Sequence, residues 1–225
     1  MVFASEKDLE DACLGWFGSL GYEHLPSAHT APGSVYDERA SASDVFLLGR
    51  LREALRRLNP EASEEALAEG LRVLLRTEAP TLVLRNQAFH RLLVDGIEVD
   101  VARPASDGGG VMGVRLRVLD FDEPEENDFV VASQLEVATV RQASLPTRIP
   151  DLVVYVNGLP LAVLELKGPE STQDVWDAIQ QLHTYKAEVP QLFGPNVVLV
   201  AGDGVQARIG SLTADDSRYA KWRTI

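Results

Sequence analysis

The chain has 225 residues, 45% of them hydrophobic, enough to bury the core of one large domain. Its single cysteine, Cys13, excludes an intramolecular disulfide and suits a reducing, cytoplasmic setting. No apolar run is long enough to span a membrane, no signal peptide opens the chain, and a net charge of −13 argues against tight nucleic-acid binding by this segment alone.

Residues 5–21 predict an amphipathic helix, with Leu9, Cys13, Trp16, Phe17 and Leu20 at helical spacing. Ser5 can cap its start, and Gly21 can end it. Residues 22–42, rich in Ser, Ala, Pro and Gly, read as a loop. Ser43 is expected to cap a second helix carrying Leu48, Leu51, Leu55 and Leu58 on one face, stopped by Asn59-Pro60. Ser63 caps a third, running to about Arg76.

The period then changes. Residues 91–94 and 97–101 flank Asp95-Gly96 and read as a β-hairpin. A glycine-rich turn at 108–110 precedes a strand over 114–121. The acidic run 120–128 reads as a solvated turn, and 129–140 as a further strand. Two apolar runs, 151–156 and 161–167, flank Asn157-Gly158. A helix over 171–188 and a buried strand over 196–201 follow. The order predicts an α/β fold with a mixed central sheet.

Chemistry concentrates in Pro150-Asp151 and, after thirteen intervening residues, Glu165-Leu166-Lys167. A hard divalent cation takes oxygen ligands, which Asp151 and Glu165 can supply, with the Leu166 carbonyl as a third. Glu165 and Lys167, two apart on a strand, share a face. The lysine then stands where it can orient a water or offset charge on an attacked phosphate. A lone Glu-x-Lys on a strand is more often a solvated face. Its position at the end of apolar runs speaks for a site, because buried charge is costly unless it is paired or metal-bound. On the following helix Gln181 and Tyr185, four apart, point one way, either toward the site or simply along a helix margin.

The register of the hairpin matters. A two-residue Asn157-Gly158 turn with regular pairing sets Asp151 opposite Leu164 and points Glu165 to the other face. A metal site needs an extra residue. A three-residue loop of Val156, Asn157 and Gly158, with Gly158 left-handed, is the expected solution, and a bulge farther along either strand serves equally.

The run from Arg148 through Pro150-Asp151 to Glu165-Leu166-Lys167, with Gln181 and Tyr185, resembles the PD-(D/E)xK nuclease motif of type I restriction enzyme R subunits. The Gln-x-x-x-Tyr element is shared with RecB-like nucleases. The stretches from Ser5-Glu6 to Tyr22, from Asn127 to Gln134, and from Gly202 to Ile225 also fit. The resemblance implies a restriction-endonuclease-like core, Mg2+ held by Asp151 and Glu165, and a catalytic Lys167 supported by Gln181 and Tyr185. Glu10, on the first helix, is the candidate for a further acidic ligand. It implies double-stranded DNA as substrate, and modification and specificity subunits as partners.

The expected organisation is a single nuclease domain over 1–225. It has a mainly helical part at 5–80, a mixed sheet with the catalytic core at 81–205, and a lead-in at 206–225 to an ATP-driven motor. No G-x-x-x-x-G-K-[ST] phosphate loop occurs, so ATP binding is expected only in a longer subunit. Two other readings share the motif: a repair or recombination nuclease, and a non-catalytic docking module. A general acid/base hydrolase has less support, since the four histidines show no ligand spacing.

Overall fold

A computed structural model describes residues 5–36, 38–102, 109–139, 147–168 and 172–222. Gly108, Val140, residue 171 and residues 223–225, which figured in the expectations above, lie outside the described residues.

Among the described residues there are six α-helices: α1 (Glu6–Ser19), α2 (Ser27–Thr30), α3 (Leu48–Leu58), α4 (Glu64–Leu75), α5 (Leu82–Asp95) and α6 (Val175–Glu188). Ser5 and Ser63 cap α1 and α4, their hydroxyls accepting from the Asp8 and Ala66 N–H groups. The strands are β1 (Glu23–Leu25), β2 (Ile97–Ala102), β3 (Val111–Leu116), β4 (Phe129–Ser133), β5 (Leu152–Val156), β6 (Leu159–Leu166), β7 (Val198–Gly202), β8 (Ala207–Gly210) and β9 (Ala220–Lys221). Seven of them form a mixed sheet in the order β1-β4-β5-β6-β7-β8-β9, and β2 and β3 form a separate antiparallel pair. The β1–β4 and β6–β7 pairs are parallel. This mixed α/β arrangement is consistent with a restriction-endonuclease-like fold.

The sheet is covered on both faces. One face and the helical region share the main core, in which Val153, Tyr155, Leu161 and Val163 meet Ala178, Ile179 and Leu182 of α6. The other face packs Val131, Leu152, Val154, Leu164 and Leu166 against Leu9 and Cys13 of α1. All eight residues of β6 are buried, as the apolar run from Leu159 to Leu164 leads one to expect, and Glu165 is buried with them.

Several expectations are corrected. Residues 91–94 are not a strand: α5 runs to Asp95, burying Asn86, Phe89 and Leu93 at helical spacing, and the hairpin is β2–β3. The strand expected at 114–121 is β3, ending at Leu116. Ser43 does not cap α3, which begins after Leu47, and its hydroxyl pairs instead with that of Ser41. The loop expected over 22–42 contains β1, held by parallel pairing to β4.

The β5–β6 turn also differs. Val156 pairs with Leu159, so the loop is the two residues Asn157 and Gly158, both left-handed at φ 52° and 78°. That conformation matches the twist of a hairpin. A Cβ on Gly158 would lie 2.5 Å from the Leu47 carbonyl oxygen, so the turn packs tightly on the start of α3. The extra residue sits farther along. Tyr155 pairs with Pro160 and Val154 with Ala162, leaving Leu161 as a bulge.

Candidate active site

Beyond the bulge, Leu152 pairs with Leu164, and that register carried one step further sets Asp151 opposite Glu165. Directly opposed side chains share a face, so the bulge brings the two carboxylates together. The Leu166 N–H donates to Asp151 Oδ2 at 2.7 Å, tying the carboxylate to the end of β6. Lys167 follows the strand, and its Nζ donates to Glu165 Oε1 at 3.0 Å. Asp151, Glu165 and Lys167 are only 6%, 1% and 5% exposed, so two carboxylates and one ammonium share a nearly dry site.

That environment sets their proton affinities. Burial pushes Glu165 up to about 8, Asp151 beside it adds to the rise, and Lys167 opposes it. Burial likewise pushes Asp151 up to about 6, against the pull of the Leu166 N–H and Lys167. Glu165 Oε2 is buried without a hydrogen-bond partner. An unpartnered carboxylate oxygen beside a second carboxylate suits a hard cation, which would supply the missing charge. Among the described residues no three His, Cys, Asp or Glu side chains are grouped closely enough to hold a metal ion by themselves. The acidic side chains that meet here are Asp151 and Glu165.

Residues 3–218 match the family described as type I restriction enzyme R protein N terminus. The chain belongs to that family. It is 36% identical over 98% of its length to the type I restriction enzyme HindI endonuclease subunit of Haemophilus influenzae. It is 30% identical over 96% of its length to the putative type I restriction enzyme MjaIXP endonuclease subunit of Methanocaldococcus jannaschii. The chain spans about a fifth of the length of these relatives, 20% of each.

In this R protein N-terminal domain α1 supplies the second wall of the site. Glu10 Oε2 accepts from Gln134 Nε2 at 2.9 Å, and the same nitrogen lies 3.3 Å from Asp151 Oδ1. The Cys13 thiol is pushed up to about 11, first by burial and then by Glu10 and Asp151. Glu6 Oε2 accepts from the Gly168 N–H at 3.3 Å. A Cβ on Gly168 would come within 2.7 Å of the Glu6 backbone nitrogen, so only glycine lets the start of α1 approach the residue after Lys167.

On the opposite side α6 is fixed by a capping box, Asp174 with Asp177. Gln181 Nε2 donates to the Tyr185 hydroxyl at 2.5 Å, and that hydroxyl donates to the Ile149 carbonyl at 3.3 Å. Tyr185 thus anchors the residues just before Asp151. Burial, and then the nearby Glu165, hold its hydroxyl proton more tightly than usual. Arg148 and Glu188 pair across the same junction. A cavity of about 430 Å³ opens here, lined by Thr147, Arg148, Gln180, Thr184 and Tyr185.

Each residue singled out in the sequence is thus placed. Asp151, Glu165, Leu166 and Lys167 meet directly, Gln181 and Tyr185 reach them through Ile149, and Glu10 reaches them through Gln134. Sequence reasoning missed Gln134 and Glu6 as site residues. Gln134 carried one signal, a place in the stretch from Asn127 that resembles the family.

Proposed function

We propose that this chain is the DNA-cleaving domain of a type I restriction enzyme R subunit, hydrolysing phosphodiester bonds with Mg2+. The observation that carries the reading is the meeting of Asp151, Glu165 and Lys167 in one buried cluster, with Glu165 Oε2 left unpartnered. Asp151, Glu165 and the Leu166 carbonyl would hold the cation, and Glu10, expected from the sequence as a further acidic ligand, would stand behind Asp151 across Gln134. When bound, the metal supplies Lewis-acid polarisation of the phosphate and makes water a better nucleophile.

The chain's own residues do the rest. Lys167 commits one N–H to Glu165, and its remaining donors can hold a phosphate oxygen or orient a water beside it. Asp151 is aimed by the Leu166 N–H. Tyr185 and Gln181 hold the backbone at Ile149, and so the entry into Asp151, in place. The cavity beside Thr147 and Thr184 is the approach for the phosphate backbone. A docking module would not need a buried lysine between two carboxylates.

The 225 residues would act as one nuclease unit in the cytoplasm. An ATP-driven motor and the modification and specificity subunits would hold the duplex, relieving this acidic domain of that task. Among the described residues no helix is long and apolar enough to cross a membrane. Titration of the chain with Mg2+ or Mn2+ by calorimetry, wild type against Glu165→Ala, tests the reading. Saturable binding in the wild type and its loss in the variant are expected, and equal binding in both would overturn it.

A further inference from the structure

Gln134 follows β4 in a left-handed conformation, φ 52°. Asn157 is the other non-glycine residue at positive φ among those described, and it occupies a tight turn that favours asparagine. Glutamine has no such local preference, and the conformation costs about 1–2 kcal/mol. The bend also makes contacts. The Gln134 N–H donates to the Asp151 carbonyl at 2.8 Å, extending the β4–β5 ladder. Its side chain then turns into the gap between α1 and β5, with Nε2 2.9 Å from Glu10 Oε2 and 3.3 Å from Asp151 Oδ1. Ionised carboxylates only accept, so the amide nitrogen and not the oxygen faces them.

We propose that Gln134 is the positioning residue of the metal site: its neutral amide holds the Asp151 and Glu10 carboxylates at a fixed separation without cancelling their charge. This rests on the metal-site reading above. The Asp151 carboxylate is gripped on both oxygens, by Gln134 on Oδ1 and by the Leu166 N–H on Oδ2, which sets the plane it presents toward Glu165. Without a donor between them, Glu10 and Asp151 would repel. A cationic donor in that place would satisfy them and remove the field that attracts a metal. A neutral amide with two N–H groups is the side chain that does the first without the second.

Calorimetric titration of the full chain with Mn2+ is paired with melting in the absence of metal. Gln134→Gly keeps the left-handed bend and removes the amide. It should melt within a few degrees of wild type and bind Mn2+ about tenfold or more weakly. Gln134→Lys keeps donors for both carboxylates and adds a charge. It should melt higher than wild type yet lose Mn2+ binding, which a simple tether would not. Asp151→Ala is the control. Absent binding in the wild type, or undiminished binding in Asp151→Ala, overturns the metal site and this inference with it. Binding lost in Asp151→Ala but unchanged in Gln134→Gly or Gln134→Lys overturns the inference about Gln134 alone.

Discussion

Asp151 and Glu165 face one another because Leu161 is one residue too many for a regular β5–β6 ladder. Thirteen residues separate the two acids, and a two-residue turn leaves an odd number to be shared by two strands. One of them must bulge. Leu161 does so inside the main core, where its side chain still packs. The chemistry of the site thus depends on a packing irregularity in the middle of a buried hairpin.

The first prediction concerns pH. Glu165 is pushed up to about 8 in the folded chain, against an ordinary carboxylate value of 4.5 when unfolded. Between those values the folded state binds the proton and the unfolded state does not, so stability falls as pH rises through that window. Glu165→Gln cannot titrate. In metal-free buffer its melting temperature should gain on that of wild type steadily from pH 5 to pH 8, by about 2–4 °C per kcal/mol of linkage. Saturating Mg2+ should narrow the gap by favouring the ionised wild type. A gap independent of pH would show that Glu165 titrates normally.

Lys167 is buried against Glu165 and near Asp151. Lys167→Met leaves the carboxylates without their cation, which should cost about 3–5 kcal/mol of metal-free stability by urea denaturation. In the complete enzyme, on the proposed function, it should lower cleavage by about 10²–10³-fold, the usual worth of one donor that stabilises transition-state charge. On the proposed function, ATP hydrolysis by a motor elsewhere in the subunit should persist. Loss of ATPase activity in a folded variant would contradict the separation.

The surface charge predicts weak DNA binding. With a net charge of −13 the chain has little counterion release to draw on. Fluorescence anisotropy on duplex DNA at about 0.15 M salt should give a dissociation constant weaker than about 10⁻⁶ M. Sub-micromolar binding would place a strong basic surface where none is expected.

Local signals carried part of this far. The caps at Ser5 and Ser63, the buried run of β6 and the Asp151, Glu165, Lys167 set could all be read from neighbouring residues. Asp95-Gly96 misled because an Asp-Gly pair ends a helix as readily as it makes a turn, and the short apolar run before it fits either period. The helix is decided by distant contacts: Asn86 Nδ2 donates to the carbonyls of Gly194 and Asn196 at 2.9 and 2.7 Å. β1 has three residues, and its pairing partner lies more than a hundred positions away. Glu6 joins the site through the approach of α1 to the end of β6, and Gln134 through the pairing of β4 with β5, neither of which local spacing encodes.

Asn157 carries the last prediction. In the sequence it is half of a turn signal. In the fold it is fully buried and uses both ends of its amide. Its Oδ1 accepts from the Asp128 N–H at 2.8 Å and from Arg57 at 3.1 Å. Its Nδ2 donates to the Val118 carbonyl at 2.9 Å and to Asn127 Oδ1 at 2.8 Å. The turn is therefore bolted to α3 and to the loop before β4. Asn157→Gly keeps the left-handed backbone and loses these four bonds, whereas Asn157→Ala loses the bonds and strains the turn as well. The glycine variant should lose about 2–4 kcal/mol, since buried partners left unsatisfied cost about 1–3 kcal/mol each and some will find water. The alanine variant should lose about 1 kcal/mol more. Urea denaturation measures both. Mn2+ affinity should stay at the wild-type value in whichever variant remains folded, because Asn157 lies at the opposite end of the hairpin from Asp151. Equal stabilities for the two variants would show that the backbone conformation contributes nothing, and a wild-type stability for Asn157→Gly would show that the buried amide is not what holds the turn.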